Sequence, residues 1–118
     1  MRDKQTFGIK GAFAIYKDDE LFFGHTQYLL LKALITEGSI NAAAKSCRIS
    51  YQQAWTVADT MNRLSPIPIL IRKKGGKDGG GCLVGAYGEE LIRLYEKKAQ
   101  QFSEEMNLLN QDLDSCLF

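Results

Sequence analysis

Between Arg72 and Gly81 the chain reads Arg72-Lys73-Lys74-Gly75-Gly76-Lys77-Asp78-Gly79-Gly80-Gly81, with five glycines in the last seven positions. Glycine removes side-chain bulk, so this backbone and its lysines can approach a chain of phosphates. Two nucleotide-binding alternatives do not fit. A Walker loop needs Ser or Thr after its Gly-Lys pair, and Asp78 stands in that place. A dinucleotide fingerprint needs a third glycine where a helix begins, which this loop does not supply. In isolation the loop also reads as a solvated hairpin.

Other candidate chemistry is sparse. His25 is the only histidine, and no Ser/His/Asp or Cys/His set is available for nucleophilic catalysis, so no enzyme is expected. Cys47, Cys82 and Cys116 are three scattered thiols without a CxxC pair. They make no four-ligand zinc site and fit a reducing compartment, each as a small buried apolar residue. Asp18, Asp19 and Glu20 are adjacent, without spaced partner ligands, and read as a solvated turn. No cofactor and no metal is called for.

A phosphate-directed loop needs elements that aim it. The preceding segments carry a helical period. His25 to Glu37 places Leu30, Ala33 and Leu34 on one face, with Leu31 and Ile35 beside it, and Gly38 closes the run. His25 falls in the first turn, as a boundary residue. Ser39 caps a short helix from Ile40 to Arg48, whose central alanines let a neighbouring helix approach closely. Ser50-Tyr51-Gln52-Gln53 is a capping box. The helix it starts buries Ala54, Val57, Ala58, Met61 and Leu64, and leaves Tyr51, Gln52, Thr56, Asp59, Thr60 and Arg63 outside. Pro66 and Pro68 end it.

Ile67, Ile69 and Ile71 alternate as a strand, and Cys82-Leu83-Val84 returns as a second. Two helices followed by strand, basic loop and strand make a winged helix-turn-helix. At the N-terminus, Phe7, Ile9, Phe13 and Ile15 alternate over residues 7–16 and suggest a further strand, with Leu21-Phe22-Phe23 resuming after a polar turn. The fold class expected is mainly α with a small β component.

A final helix of about 30 residues runs from Gly85-Ala86-Tyr87-Gly88 to Phe118. Its heptad rows are Ile92, Ala99, Met106, Leu113 and Tyr95, Phe102, Leu109, Cys116. At 1.5 Å per residue it would reach about 45 Å, longer than a small domain covers, so its distal seam calls for a partner copy. Folding back on its own domain is the alternative. Two regions follow: 1–85 as the DNA-binding domain and 86–118 as the dimerisation helix.

The chain has 118 residues, 45% apolar and 25% charged, the composition of one globular domain. Its net charge of +1 hides a gradient. Five cations and no acid lie between Arg63 and Lys77, whereas residues 78–118 hold eight acids against three bases. Such a local basic stretch points to a polyanionic partner. No segment is long and apolar enough to span a membrane, and no leader is evident, so a cytoplasmic location without membrane contact is expected.

Gly38-Ser39-Ile40-Asn41-Ala42-Ala43-Ala44-Lys45 resembles the helix-turn-helix of LysR-type regulators. Ile49-Ser50-Tyr51-Gln52-Gln53-Ala54-Trp55, Met61-Asn62 and Gly75-Gly76-Lys77-Asp78-Gly79-Gly80-Gly81 narrow it. Together with Tyr87-Gly88 and Leu91-Ile92-Arg93-Leu94-Tyr95 they closely resemble the N-terminal DNA-binding half of ModE-type, molybdate-responsive regulators, from roughly Gly24 to Glu96. That resemblance implies a transcriptional regulator bound to double-stranded DNA as a homodimer. Family members carry two molybdate-binding modules after the final helix, and this sequence stops at Phe118, so no molybdate-binding residues are expected within it; whether a separate protein supplies sensing is not legible. The family often has Lys at the place of Gln52 and Thr at the place of Gly85.

DNA contacts are therefore expected from Ser50, Tyr51, Gln52, Gln53 and Thr56 in a major groove, with Gln52 as the base reader because Gln53 is engaged in its capping box. The recognition helix spans about 50–65, and the basic wing of about 72–82 is expected on the backbone, with Lys45, Arg48, Lys73, Lys74 and Lys77 on phosphates. Ile92, Tyr95, Ala99, Phe102, Met106, Leu109 and Leu113 are expected at the dimer seam. A protein-interaction module using the same fold without specific DNA binding is the alternative. The operator and the sign of regulation are not legible.

Overall fold

The computed structural model describes residues 7–72 and 81–117. An antiparallel hairpin, β1 (Ile15–Lys17) and β2 (Glu20–Phe23), comes first. It turns through Asp18 at φ 53°, a left-handed conformation that Asp tolerates better than most residues. Phe22 and Phe23 point into the core. The strand expected over residues 7–16 forms only at its end. Residues 7–14 have no regular structure and instead lie along the last long helix.

Helix α1 (His25–Glu37) buries Leu30, Leu31 and Leu34, while Ile35 is exposed. Gly38 at φ 80° ends it, donating its N–H to Leu34 O at 2.8 Å. Helix α2 (Ile40–Cys47) is capped by the Ser39 hydroxyl, which accepts from the Ala42 amide at 3.2 Å. Ala43 and Ala44 are fully buried where α1 and α3 approach. Arg48 takes φ 59° to turn the chain, and α3 (Tyr51–Leu64) begins directly after its cap, Ser50. Ala54, Ala58, Met61 and Leu64 form the buried stripe of α3, with Val57 half-buried beside it.

The wing strands β3 (Leu70–Arg72) and β4 (Cys82–Val84) pair antiparallel, Leu70 opposite Val84 and Arg72 opposite Cys82. The strand starts later than the isoleucine alternation implies: Ile69 and Leu70 are buried, whereas Ile67 and Ile71 are each 53% exposed. Asn62 of α3 explains the register. Its Oδ1 accepts from the Ile69 and Leu70 amides at 2.8 and 3.0 Å, and its Nδ2 donates to Leu70 O at 3.3 Å. The Cys82 amide donates to Gly38 O at 3.2 Å, fastening the second wing strand to the α1–α2 turn.

Helix α4 (Ala86–Gln111) starts against the wing root. Gly88 makes that approach possible: a Cβ there would lie 2.6 Å from Val84 Cγ1 and 3.2 Å from Ile69 O. Leu91, Ile92 and Tyr95 belong to the domain core. The helix is shorter than expected. It stops at Gln111, Asp112 leaves helical geometry at φ −101° and ψ 18°, and α5 (Leu113–Leu117) is a separate short turn. The molecule extends 65 × 33 × 24 Å because the distal part of α4 projects beyond the domain.

Candidate nucleic-acid interface

Local chemistry sets the first turn of α3. The Ser50 hydroxyl accepts from the Gln53 amide at 3.0 Å, and Gln53 Oε1 accepts from the Ser50 amide at 3.1 Å. The capping box read from sequence is thus present, and Gln53 is committed to it. The amides of Tyr51 and Gln52 have no carbonyl within the helix to bond. The positive end of the helix dipole and these amides therefore face solvent, a setting that favours an anion.

Ser50, Tyr51, Gln52, Gln53 and Thr56 are all exposed on one end and face of α3. Thr56 Oγ1 donates to Gln52 O at 3.0 Å, so its hydroxyl is turned toward its own helix and presents its methyl and a lone pair outward. Lys45, in the last turn of α2, and Arg48, in the following turn, are exposed beside this end. Lys73, Lys74 and Lys77 lie outside the described residues.

Two cations of the basic stretch are already paired. Arg63 contacts Glu20 at 2.8 Å, which holds the Glu20 carboxyl below its usual range through that hydrogen bond and the charge of Arg63. Arg72, at the end of β3, lies with its guanidinium carbon 3.7 Å from the centre of the Trp55 ring and its Nη2 3.0 Å from Asp59 Oδ1. Tyr51 meets Trp55 edge-on at 6.1 Å. Arg72 opens the wing of about 72–82 expected on the backbone, whereas Trp55 and Asp59 were not expected at the site. Tyr51 and Asp59 were legible on the outer face of α3, but half-buried Trp55 between them and the arginine crossing it from the wing were not.

The thiols divide. Cys82 is buried and Cys47 half-buried, and burial raises the pKa of both, whereas Cys116 is exposed rather than buried.

The heptad rows divide as well. Ile92 and Tyr95 are 7% and 6% exposed, built into the domain's own core rather than a free seam. Tyr95 packs at a tilt against Tyr28 of α1 at 4.8 Å, and the Tyr28 hydroxyl donates to Glu96 at 2.6 Å, which Lys32 also approaches at 3.5 Å. Residues 7–14 cover the next stretch. Phe13 packs on Tyr95 and Phe102 at 5.0 and 5.3 Å, and Asn110 clasps the backbone of Ile9 through both its amide nitrogen and oxygen. Ala99, Phe102, Met106 and Leu113 are half-buried, while Leu108 and Leu109 are 57% and 56% exposed. Phe13, Ile15, Leu94 and Phe102 line an apolar groove along this helix. Among the described residues no helix is long and apolar enough to cross a membrane.

Two helices joined by a tight turn, the second capped and polar outside, followed by a two-stranded ribbon, define a winged helix-turn-helix protein. ArgP from Mycobacterium tuberculosis shares this fold, with a TM-score of 0.52 at 20% identity, over 72% of this chain and 30% of that one. No family model matches the chain. Curated relatives narrow the class. The transcriptional regulator ModE of Haemophilus influenzae is 39% identical over 100 residues, 82% of this chain and 39% of the relative. The molybdenum transport protein ModE of Azotobacter vinelandii is 38% identical over 89 residues, 75% of this chain and 33% of its own length. The DNA-binding transcriptional dual regulator ModE of Escherichia coli K12 is 39% identical over 93 residues, 79% and 36% respectively. The chain is a homologue of the ModE transcriptional regulators and carries a winged helix-turn-helix as its fold. It spans two-fifths or less of the length of these relatives.

Proposed function

We propose that the chain is the sequence-specific DNA-binding part of a transcriptional regulator and works as a homodimer. One observation carries this reading: the capped N-terminus of α3 presents Tyr51, Gln52 and Thr56 to solvent beside Lys45 and Arg48. Helix α3 enters a major groove with Gln52 as its base reader, since a glutamine side chain can bond adenine at two edges. Ser50, Tyr51 and Thr56 flank that contact on backbone and thymine methyl. Gln53 serves the cap and supports Gln52 indirectly. Lys45, Arg48, Lys73, Lys74 and Lys77 supply phosphate contacts, which position the domain without reading sequence.

The dimer uses the part of α4 beyond the domain. Leu108 and Leu109 are exposed there, Phe102 and Met106 are only half covered, and so is Leu113 in the short α5 that follows. An apolar strip of this length marks an interaction surface rather than scattered surface hydrophobes. A two-fold dimer offers two copies of α3 to half-sites one helical turn, or a multiple, apart.

Capture of genomic fragments on the purified protein, followed by competition with single-base variants of the best fragment, tests the reading. Gln52→Ala is expected to relax preference at one base position per half-site, a discrimination of about 1–3 kcal/mol. Equal weakening on every sequence would restrict Gln52 to the backbone. Capture of no preferred fragment would leave the fold as an interaction module without specific DNA binding.

A further inference from the structure

An acid on the outer face of a helix directed at DNA is unfavourable by charge alone, and Asp59 is such an acid, with a side chain 67% exposed. Its surroundings supply a reason for it. Tyr51, Trp55 and Asp59 are spaced four apart and share one stripe of α3. Arg72 crosses this stripe from β3. Its guanidinium plane rests over the Trp55 ring at 3.7 Å and one nitrogen bonds Asp59 Oδ1 at 3.0 Å. A guanidinium carries five N–H donors in a fixed fork. Among the described residues no other acceptor engages it, so donors remain on its open edge.

We propose that Arg72 contacts a DNA backbone phosphate, and that Trp55 and Asp59 are positioning residues that hold its guanidinium ready for it. The inference rests on the DNA-binding reading above, which puts the wing on the backbone, and adds the two residues that aim its first arginine. Ring and carboxylate fix two directions of the arginine in advance, so less rotamer freedom is lost when the phosphate arrives. A phosphate is the chemistry that fits. Charge-assisted N–H to phosphate bonds are the strong ones, and the planar fork suits two phosphate oxygens. The arginine stands at Asp59, two turns along α3 from Gln52, so it meets the flank of a groove whose bases Gln52 reads. An exposed pair such as Arg72–Asp59 is weak by itself, which makes it an aiming device rather than a strut of the fold.

Binding of the full chain to a captured fragment, measured by anisotropy across a salt series, tests the assignment with four variants. Arg72→Ala is expected to lower affinity about tenfold on every sequence and to flatten the log–log salt slope by about 0.9 per chain. Arg72→Lys restores the slope but not the affinity, because a lysine cannot stack and fork in the same way. Asp59→Asn removes a negative charge near DNA and yet lowers affinity about threefold with the slope unchanged. In the Arg72→Ala background the same Asp59→Asn change produces no loss. The sign of the Asp59→Asn effect decides: tighter binding in the presence of Arg72 shows that Asp59 merely repels DNA and overturns the proposal. An unaltered slope and affinity for Arg72→Ala overturns it too, as does a loss confined to one base sequence. Failure of the unmodified chain to bind any fragment in a salt-dependent way refutes the DNA reading itself, and the Arg72 assignment falls with it. All altered side chains here are exposed, and unchanged circular dichroism and Tm confirm that the variants are folded.

Discussion

Asn62 is the joint between α3 and the wing, and Asn62→Ala is expected to loosen both. Its Oδ1 is the acceptor for two successive amides, Ile69 at 2.8 Å and Leu70 at 3.0 Å, while its Nδ2 donates to Leu70 O. Ile69 is fully buried and Leu70 is 7% exposed, so a second partner for these amides is not at hand. A stranded buried donor costs about 1–3 kcal/mol. Because these contacts are only partly buried, water can reach some of the space vacated by the side chain, and the lower bound of about 1 kcal/mol for each amide is appropriate. The sum is about 2 kcal/mol, which for a chain of this size lowers Tm by about 8 °C. Urea titration followed by circular dichroism reads the first number and a thermal scan the second. Asn107→Ala, on the exposed face of α4, is the control and is expected within about 0.5 kcal/mol of the parent. If Asn62→Ala matched that control, the side chain would not be what fixes the start of β3, and the account of the wing register would be wrong.

Three further expectations follow from single contacts. Gly88→Ala places a Cβ 2.6 Å from Val84 Cγ1 and is expected to destabilise the fold by about 1–3 kcal/mol despite the better helix propensity of alanine; an unchanged urea midpoint would contradict that close approach. The Tyr28–Glu96 hydrogen bond pushes the Tyr28 pKa up to about 12, with burial and the Glu96 charge adding to it, and lowers that of Glu96. A lowered carboxyl pKa contributes stability above its unfolded value that is lost as pH falls through the folded one, and a raised tyrosine pKa contributes stability below 10 that is lost toward about 12. The stability gap between the parent and Tyr28→Phe should therefore be widest near neutrality and close at both extremes, which a pH series of urea titrations would show. Phe102→Asp combined with Leu109→Asp should leave the winged domain folded but monomeric by sedimentation equilibrium, and much weaker on a two-half-site fragment; a parent that is itself monomeric at tens of micromolar removes the dimer.

The parts of the fold legible in the sequence are those set by neighbours in the chain. The Ser50/Gln53 box, the Ser39 cap and the Gly38 terminus are each decided within a turn, and the stripe Ala54, Ala58, Met61, Leu64 follows from the helical period alone. Where distant partners decide, the pattern misleads. Phe7, Ile9, Phe13 and Ile15 alternate like a strand, but Phe13 is claimed by Tyr95 and Phe102 and Ile9 by Asn110, so residues 7–14 strap α4 and only Ile15 pairs. The heptad rows run unbroken through Leu113 and Cys116, yet the helix stops at Gln111, and their first members Ile92 and Tyr95 are drawn into the core by α1 and β2. At the candidate interface, the outward polar end of α3 was readable. The arginine of β3 stacked on Trp55 was not, because the wing's return brings it there.

In the proposed complex, α3 and the basic residues around it grip DNA through phosphates as well as bases. The most direct measurement is the affinity of the purified chain for captured genomic fragments as a function of salt. Log Kobs is expected to fall linearly with log salt, with a slope of several units from the contacts of two chains, and preferred fragments are expected to keep an advantage over competitor DNA throughout. Affinity that does not depend on salt, or equal affinity for every fragment at all salt concentrations, would contradict it.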